Sequence, residues 1–113
     1  MEKQIMEEHL VTVRIEDKKF KYSKNKECLC VNGGDTIKWK LRNRFPYGIV
    51  IKALVSPLDW SYKITGAGTE ITAKVLKNAA PGLYAYGIGA FDGTELLFDD
   101  PDIIVRPPDR RGS

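Results

Sequence analysis

The sequence predicts an all-β fold, an antiparallel sandwich or barrel of seven to eight short strands. Apolar and polar residues alternate through most of the chain, the pattern of a strand with one buried face. Turn residues such as Asn-Gly, Pro-Gly and Asp-Gly separate these segments. No segment of helical length repeats its apolar residues every 3.6 positions. With 113 residues, 42% of them hydrophobic, the chain is large enough for one continuous core.

The first half of the chain contains five predicted strands. They centre on Val11–Ile15, Phe20–Tyr22, Leu29–Val31, Ile37–Leu41 and Ile49–Ile51. The last of these is an uninterrupted apolar run, which is typical of a strand buried on both faces.

The second half begins with a looser pattern over residues 56–68, where Leu58, Trp60, Tyr62 and Ile64 still alternate. Further strands are predicted over 71–75, 83–91, 94–98 and 103–105. Asp92-Gly93 is the strongest hairpin signal in the chain. Gly87 and Gly89, inside that hairpin, indicate a place where a neighbouring strand or a large side chain approaches closely.

A single domain is predicted over residues 10–106, with flexible tails at 1–9 and 107–113. The predicted core residues are Val13, Leu29, Val31, Ile37, Trp39, Ile49, Ile51, Tyr84, Tyr86 and Ile88.

Neither a membrane span nor a secretory signal is expected. No apolar run approaches the roughly 20 residues that cross a bilayer. The first ten residues carry three glutamates and no apolar block. A cytoplasmic location is expected, and a processed secreted form stays open as the alternative.

Cys28 and Cys30 are expected as two reduced thiols on the same face of one strand, because residues two apart share a face. A disulfide between them would close a very small, strained loop. A soft-metal or redox role is the alternative, although a lone Cys-x-Cys lacks the second ligand pair of a zinc or iron–sulfur site.

Three motifs together resemble the cupredoxins, the blue-copper proteins. They are Gly34-Asp35-Thr36-Ile37-Lys38-Trp39, then Phe45-Pro46-Tyr47-Gly48-Ile49-Val50, then Gly82-Leu83-Tyr84-Ala85-Tyr86. The closing segment, from Asp100 to Val105, resembles small bacterial cupredoxin-like proteins of unassigned activity. The resemblance implies a Greek-key β-sandwich.

The same resemblance implies that the copper ligands have been lost. A type 1 site needs two imidazoles, one thiolate and a weak axial ligand such as methionine. Tyr47 stands where the family has its first histidine, and Ile88 where it has its cysteine. The loop that follows, residues 89–93, contains no His, Cys or Met. We therefore expect no type 1 copper and no other cofactor.

No catalytic constellation is visible, so we expect no enzyme activity. The single histidine, His9, falls in the predicted N-terminal tail and is expected to be exposed to solvent. Asp99, Asp100 and Asp102 lack the spacing of a calcium loop and are expected to form a solvated turn.

Charge is distributed unevenly along the chain. Nine basic and two acidic residues between Lys18 and Arg44 give this segment +7, whereas the whole chain is +3. Six of these cations are predicted to share an exposed sheet face: Lys19, Lys21, Lys38, Lys40, Arg42 and Arg44. Such lysines also discourage aggregation between strands, which is the plainer interpretation.

The function predicted from these observations is a non-enzymatic binding module that docks an unidentified acidic protein through its basic face. Nucleic acid is a weaker candidate, because no outward aromatics for base stacking are evident there. A homo-oligomer is also considered, in which the acidic segment Glu95–Asp102 meets the basic face of another copy. The alternative function is copper binding or thiol redox chemistry through Cys28 and Cys30.

Overall fold

The computed structural model describes residues 6–108, which form ten strands and one 3-10 turn, Ser23–Asn25. In chain order the strands are β1 (Glu8–Glu16), β2 (Lys19–Tyr22), β3 (Cys28–Val31), β4 (Thr36–Leu41), β5 (Tyr47–Ile51), β6 (Tyr62–Thr65), β7 (Ile71–Lys74), β8 (Gly82–Phe91), β9 (Leu96–Asp99) and β10 (Asp102–Val105).

The strands form two sheets whose buried faces meet in one core. The four-stranded sheet has the order β2-β1-β4-β7. The six-stranded sheet has the order β3-β10-β8-β5-β6, and β9 pairs with β8 beyond the end of β10. The predicted all-β sandwich is confirmed.

Two details differ from the prediction. Residues 6–108 form ten strands, not seven to eight. Two pairings are parallel, β1 with β4 and β3 with β10, and the other six are antiparallel.

The core lies between the sheets and is centred on aromatic side chains. The Trp39 indole N–H donates to the Tyr86 hydroxyl at 3.0 Å, and their ring centroids lie 5.6 Å apart in an edge-to-face arrangement. Trp60 also packs against Trp39, with the two ring centroids 5.9 Å apart. Nine of the ten predicted core residues are buried, and Tyr84 is half-buried at the margin.

Two sequence-based expectations need correction. Glu8 and His9 pair with Thr36 and Ile37 of β4, so the first strand begins at Glu8 and not at residue 10. The run Ile49–Ile51 is not buried on both faces, because Val50 points outward and is 46% exposed. Residues 1–5 and 109–113 of the predicted tails lie outside the described residues.

Within residues 6–108, no helix has the length and apolar character needed to cross a membrane.

Candidate functional site

Tyr47 and Ile88 lie in the core on neighbouring strands. Tyr47 on β5 pairs with Ala90 of β8, and Ile88 pairs with Ile49, so the two side chains are diagonal neighbours on the inner face. Both are buried. Ile88 contributes only hydrocarbon at the position where the family resemblance would place a thiolate.

The Tyr47 hydroxyl is hydrogen-bonded to backbone carbonyl groups. It lies 2.6 Å from the carbonyl oxygen of Thr69 and 3.1 Å from that of Trp39, and donates its one proton between them. Burial raises the pKa of Tyr47 to about 12, so the phenol is neutral at physiological pH. A neutral hydroxyl already donating to carbonyls is a poor metal ligand.

Cys28 and Cys30 lie on β3, an edge strand of the six-stranded sheet, and both are free thiols. Leu29 and Val31 point into the core, which leaves the two cysteines on the outer face as the alternation predicted. The pKa of the Cys28 thiol is raised, first by burial and then by the neighbouring Cys30. A raised pKa lowers the thiolate fraction, and thiolate is the reactive and metal-binding form.

His9 is not exposed as predicted but lies in β1, with 13% of its side chain accessible. Its Nε2 donates to Asp35 Oδ2 at 2.8 Å. Asp35 is fully buried and also accepts backbone N–H groups from Glu7, at 3.1 Å, and Asn32, at 2.9 Å. The sequence could not show this, because His9 and Asp35 are 26 residues apart.

Glu7, His9 and Asp35 place three ligand-type atoms within 4.8 Å of one another. Both carboxylate oxygens of Asp35 already accept hydrogen bonds from the protein. We therefore interpret Asp35 as a structural residue that connects β1 to the turn before β4. Burial opposes ionisation of Asp35, but the bonds from His9, Asn32 and Glu7 outweigh it and hold the pKa of Asp35 below its usual range.

The basic face is the outer surface of the four-stranded sheet. Cross-strand pairs bring Lys21 beside Arg14 and place Lys40 beside Thr12. Lys19, Lys21, Lys40 and Arg42 are exposed there, and Lys38 is half-buried and paired with Glu8 at 3.3 Å. Arg44 follows the end of β4 and lies close to Gly68, in the turn between β6 and β7.

A recess of about 370 Å³ opens within the basic face. Its walls carry three cations, Arg14, Lys21 and Arg42, together with the polar residues Thr12, Tyr22 and Ser23. Arg14 is partly neutralised by Glu16 at 3.3 Å. Among residues 6–108, no carboxylate lies within 4.0 Å of the charged nitrogens of Lys21, Lys40 or Arg42.

The opposite face of the sandwich carries an apolar groove that was not predicted from the sequence. It has a volume of about 660 Å³ and lies on the outer surface of β6, β5, β8 and β9. Gly48, Gly87 and Gly89 form its floor. A Cβ on Gly89 would stand 3.1 Å from the Phe98 ring, which is the close approach that the strand glycines indicated. In the sequence, the only indication of this groove was the alternation of glycine along β8.

No family model matches the chain, and no curated protein matches it either. Solved structures do match, and together with the sheet order they define the class: this chain has a cupredoxin-like fold. A purple cupredoxin from Nitrosopumilus maritimus is 14% identical, with a TM-score of 0.56 over 86% of this chain and 98% of the other.

Amicyanin matches in several states. An oxidised amicyanin variant is 20% identical, with a TM-score of 0.53 over 85% of this chain and 81% of the other. A reduced Cu(I) form of another variant is 18% identical, with a TM-score of 0.52 over 86% and 82%. At these identities the likeness concerns the fold alone.

Around Tyr47 and Ile88, residues 6–108 do not bring together the ligands of a type 1 copper centre. A type 1 centre requires imidazole, thiolate and thioether donors in one pocket. Tyr47 and Ile88 supply none of these. The only histidine of the chain, His9, lies in the four-stranded sheet and is hydrogen-bonded to Asp35. Both cysteines lie on β3.

Proposed function

We propose that this protein is a non-enzymatic binding module, built on a cupredoxin-like scaffold without a type 1 copper centre, that docks an acidic protein through its basic face. The observation that carries the proposal is the cluster of Lys21, Lys40 and Arg42, which has no carboxylate partner among residues 6–108. Such a cluster attracts carboxylates and accelerates encounter with an acidic surface.

The arrangement of this face favours a protein over nucleic acid. Single-stranded nucleic acid is typically held by basic side chains interleaved with aromatic rings on which the bases stack. In the described part of the chain, the well-exposed aromatics are Tyr62, Phe91 and Phe98, all on the six-stranded sheet. Tyr22, at the edge of the recess, uses its hydroxyl to bond Asp99.

The alternative function, copper binding or redox chemistry at Cys28 and Cys30, receives less support. The raised pKa of Cys28 opposes thiolate formation at neutral pH. A two-thiol site also needs further ligands, and His9 is bonded to Asp35. Unchanged metal uptake and oxidation in a Cys28→Ser/Cys30→Ser variant would remove this alternative.

The test measures binding of a labelled polyglutamate peptide and of a short DNA duplex as salt is raised. We expect the peptide to bind at low salt and to lose affinity as salt screens the charges. Lys40→Glu/Arg42→Glu should weaken this binding at least tenfold. The matched control, Lys77→Glu/Arg106→Glu, makes the same charge change at exposed positions off the basic face and should retain most of the affinity.

Equal losses in the two double variants would show that only net charge matters, and the basic face would no longer be the site. Absence of peptide binding at low salt would also overturn the proposal. Tighter binding of the duplex, with a steep salt dependence, would replace the acidic protein by nucleic acid.

A further inference from the structure

The shape of the apolar groove is set by four residues that are direct neighbours across four adjacent strands. Across β6, β5, β8 and β9 these residues are Ile64, Gly48, Gly89 and Phe98, so two large side chains flank two glycines. Glycine in the interior of a strand costs stability relative to residues with side chains. Two glycines side by side therefore keep a trough open between two ridges.

The ridges are exposed and apolar. Tyr62 and Ile64 of β6 form one ridge, and Leu96 and Phe98 of β9 form the other, with exposures between 61% and 76%. Together with Val50 and Phe91 they expose on the order of 600 Å² of apolar surface. A standard protein interface buries roughly 800 Å² on each partner, so this face supplies most of what a stable dimer needs.

The charged side chains around the groove are already paired within the protein, so they offer little attraction to a charged partner. Lys52, Asp99 and Asp100 are the charged residues of its lining. Lys52 forms an ion pair with Asp100, and Asp99 accepts a 2.6 Å hydrogen bond from the Tyr22 hydroxyl. The third acidic side chain nearby, Glu95, is paired with Lys18 at 2.7 Å.

The position of the groove favours a second copy of the chain. It lies on the six-stranded sheet, whereas the basic face is the outer surface of the other sheet. Two copies that meet at their grooves keep their basic faces on opposite outer sides, where like charges are far apart. A surface with two ridges and a trough is also complementary to itself, as a two-fold interface requires.

We propose that two copies of this chain associate through this groove, each inserting a ridge into the trough of the other about a two-fold axis. The interface is apolar, so its strength should be unchanged or increased by salt. This distinguishes it from an association between the acidic segment Glu95–Asp102 and a basic face, which salt would weaken. The proposal is independent of the function proposed for the basic face.

Sedimentation velocity from low micromolar to sub-millimolar protein, at low and high salt, tests this. We expect a concentration-dependent dimer at both salt levels. Ile64→Lys and Phe98→Lys place a charge on opposite ridges and should each raise the dissociation constant at least tenfold, because each change occurs twice in the dimer. Both positions are more than 70% exposed, so the variants should fold.

Leu10→Lys is the matched control, since Leu10 is an exposed apolar residue paired beside Lys38 on the other sheet. It should leave the dimer unchanged, as should Lys40→Glu/Arg42→Glu, so failure of this proposal and of the basic-face proposal can be told apart. A monomer at every concentration would overturn the proposal. This holds even if the monomer binds a hydrophobic dye stoichiometrically, because the groove would then be open but would not pair with a second copy. A dimer that dissociates in high salt would also overturn it.

Discussion

Asp35 is the buried charge on which the start of the sandwich depends. Its carboxylate joins His9 of β1, and Glu7 just before that strand, to Asn32 in the turn that precedes β4. Because these bonds are made to the ionised form, they stabilise the folded state only while Asp35 is charged.

The acid side of the stability curve should reflect this residue. The folded pKa of Asp35 is depressed, so its contribution is complete above the unfolded value of about 3.9 and is lost as pH falls through the folded pKa. Urea unfolding should therefore show a steep decline in stability below about pH 4. In Asp35→Asn, which is less stable at neutral pH, the decline should be shallower. Parallel curves for the two proteins would contradict this assignment.

Tyr47, at the position that the family resemblance matches to a copper ligand, is part of the core of this protein. Tyr47→Phe removes the hydroxyl that donates to the carbonyls of Thr69 and Trp39. We expect a loss of about 1–2 kcal/mol in the free energy of unfolding, from chemical denaturation. Tyr62→Phe, at a tyrosine that is 66% exposed, is the control and should change it little. Equal effects would mean that the buried hydroxyl contributes nothing specific.

At the scale of elements, the β1–β2 hairpin is fastened to the β8–β9 hairpin of the other sheet. The Tyr22 hydroxyl donates to Asp99 Oδ2 at 2.6 Å, and Lys18, in the turn between β1 and β2, pairs with Glu95 at 2.7 Å. The Lys18 pair is exposed and contributes little. The Tyr22 bond is partly buried and should carry most of the connection.

A double-mutant cycle measures that connection. Tyr22→Phe should destabilise the protein by about 1–2 kcal/mol, because a hydrogen bond to a charged group is lost. Asp99→Asn should weaken the same bond, so the double variant should lose less than the sum of the single changes. Strict additivity would show that the two residues are not coupled.

For the whole molecule, the buried Tyr47 and Tyr86 and the half-buried Tyr22 predict an alkaline limit to stability. Burial is the main cause that raises the pKa values of Tyr22, Tyr47 and Tyr86 above their usual range. Above about pH 10 the unfolded chain releases protons that the folded chain retains, so stability falls as pH rises. Thermal unfolding between neutral pH and about pH 11 should show this decline. A melting temperature that is constant over this range would be incompatible with buried, neutral phenols.

The sequence predicted what local patterns determine. Alternation placed Trp39 and Ile88 inside and Lys40 outside, because side chains on a strand alternate regardless of which strands are neighbours. The groove, the Asp35 cluster and the two parallel pairings depend on strands distant in sequence, such as Gly48 beside Gly89 or β1 beside β4. Only the tertiary structure brings these residues together.

The most direct test of the central claim, a cupredoxin-like scaffold used for binding without type 1 copper, is a copper titration of the purified protein. Cu(II) and then Cu(I) are added while the stoichiometry and the visible spectrum are recorded. We predict no intense visible thiolate-to-copper band, because Tyr47 and Ile88 occupy the matching positions. One tightly bound copper per chain, with such a band that disappears in Cys28→Ser/Cys30→Ser, would contradict the account.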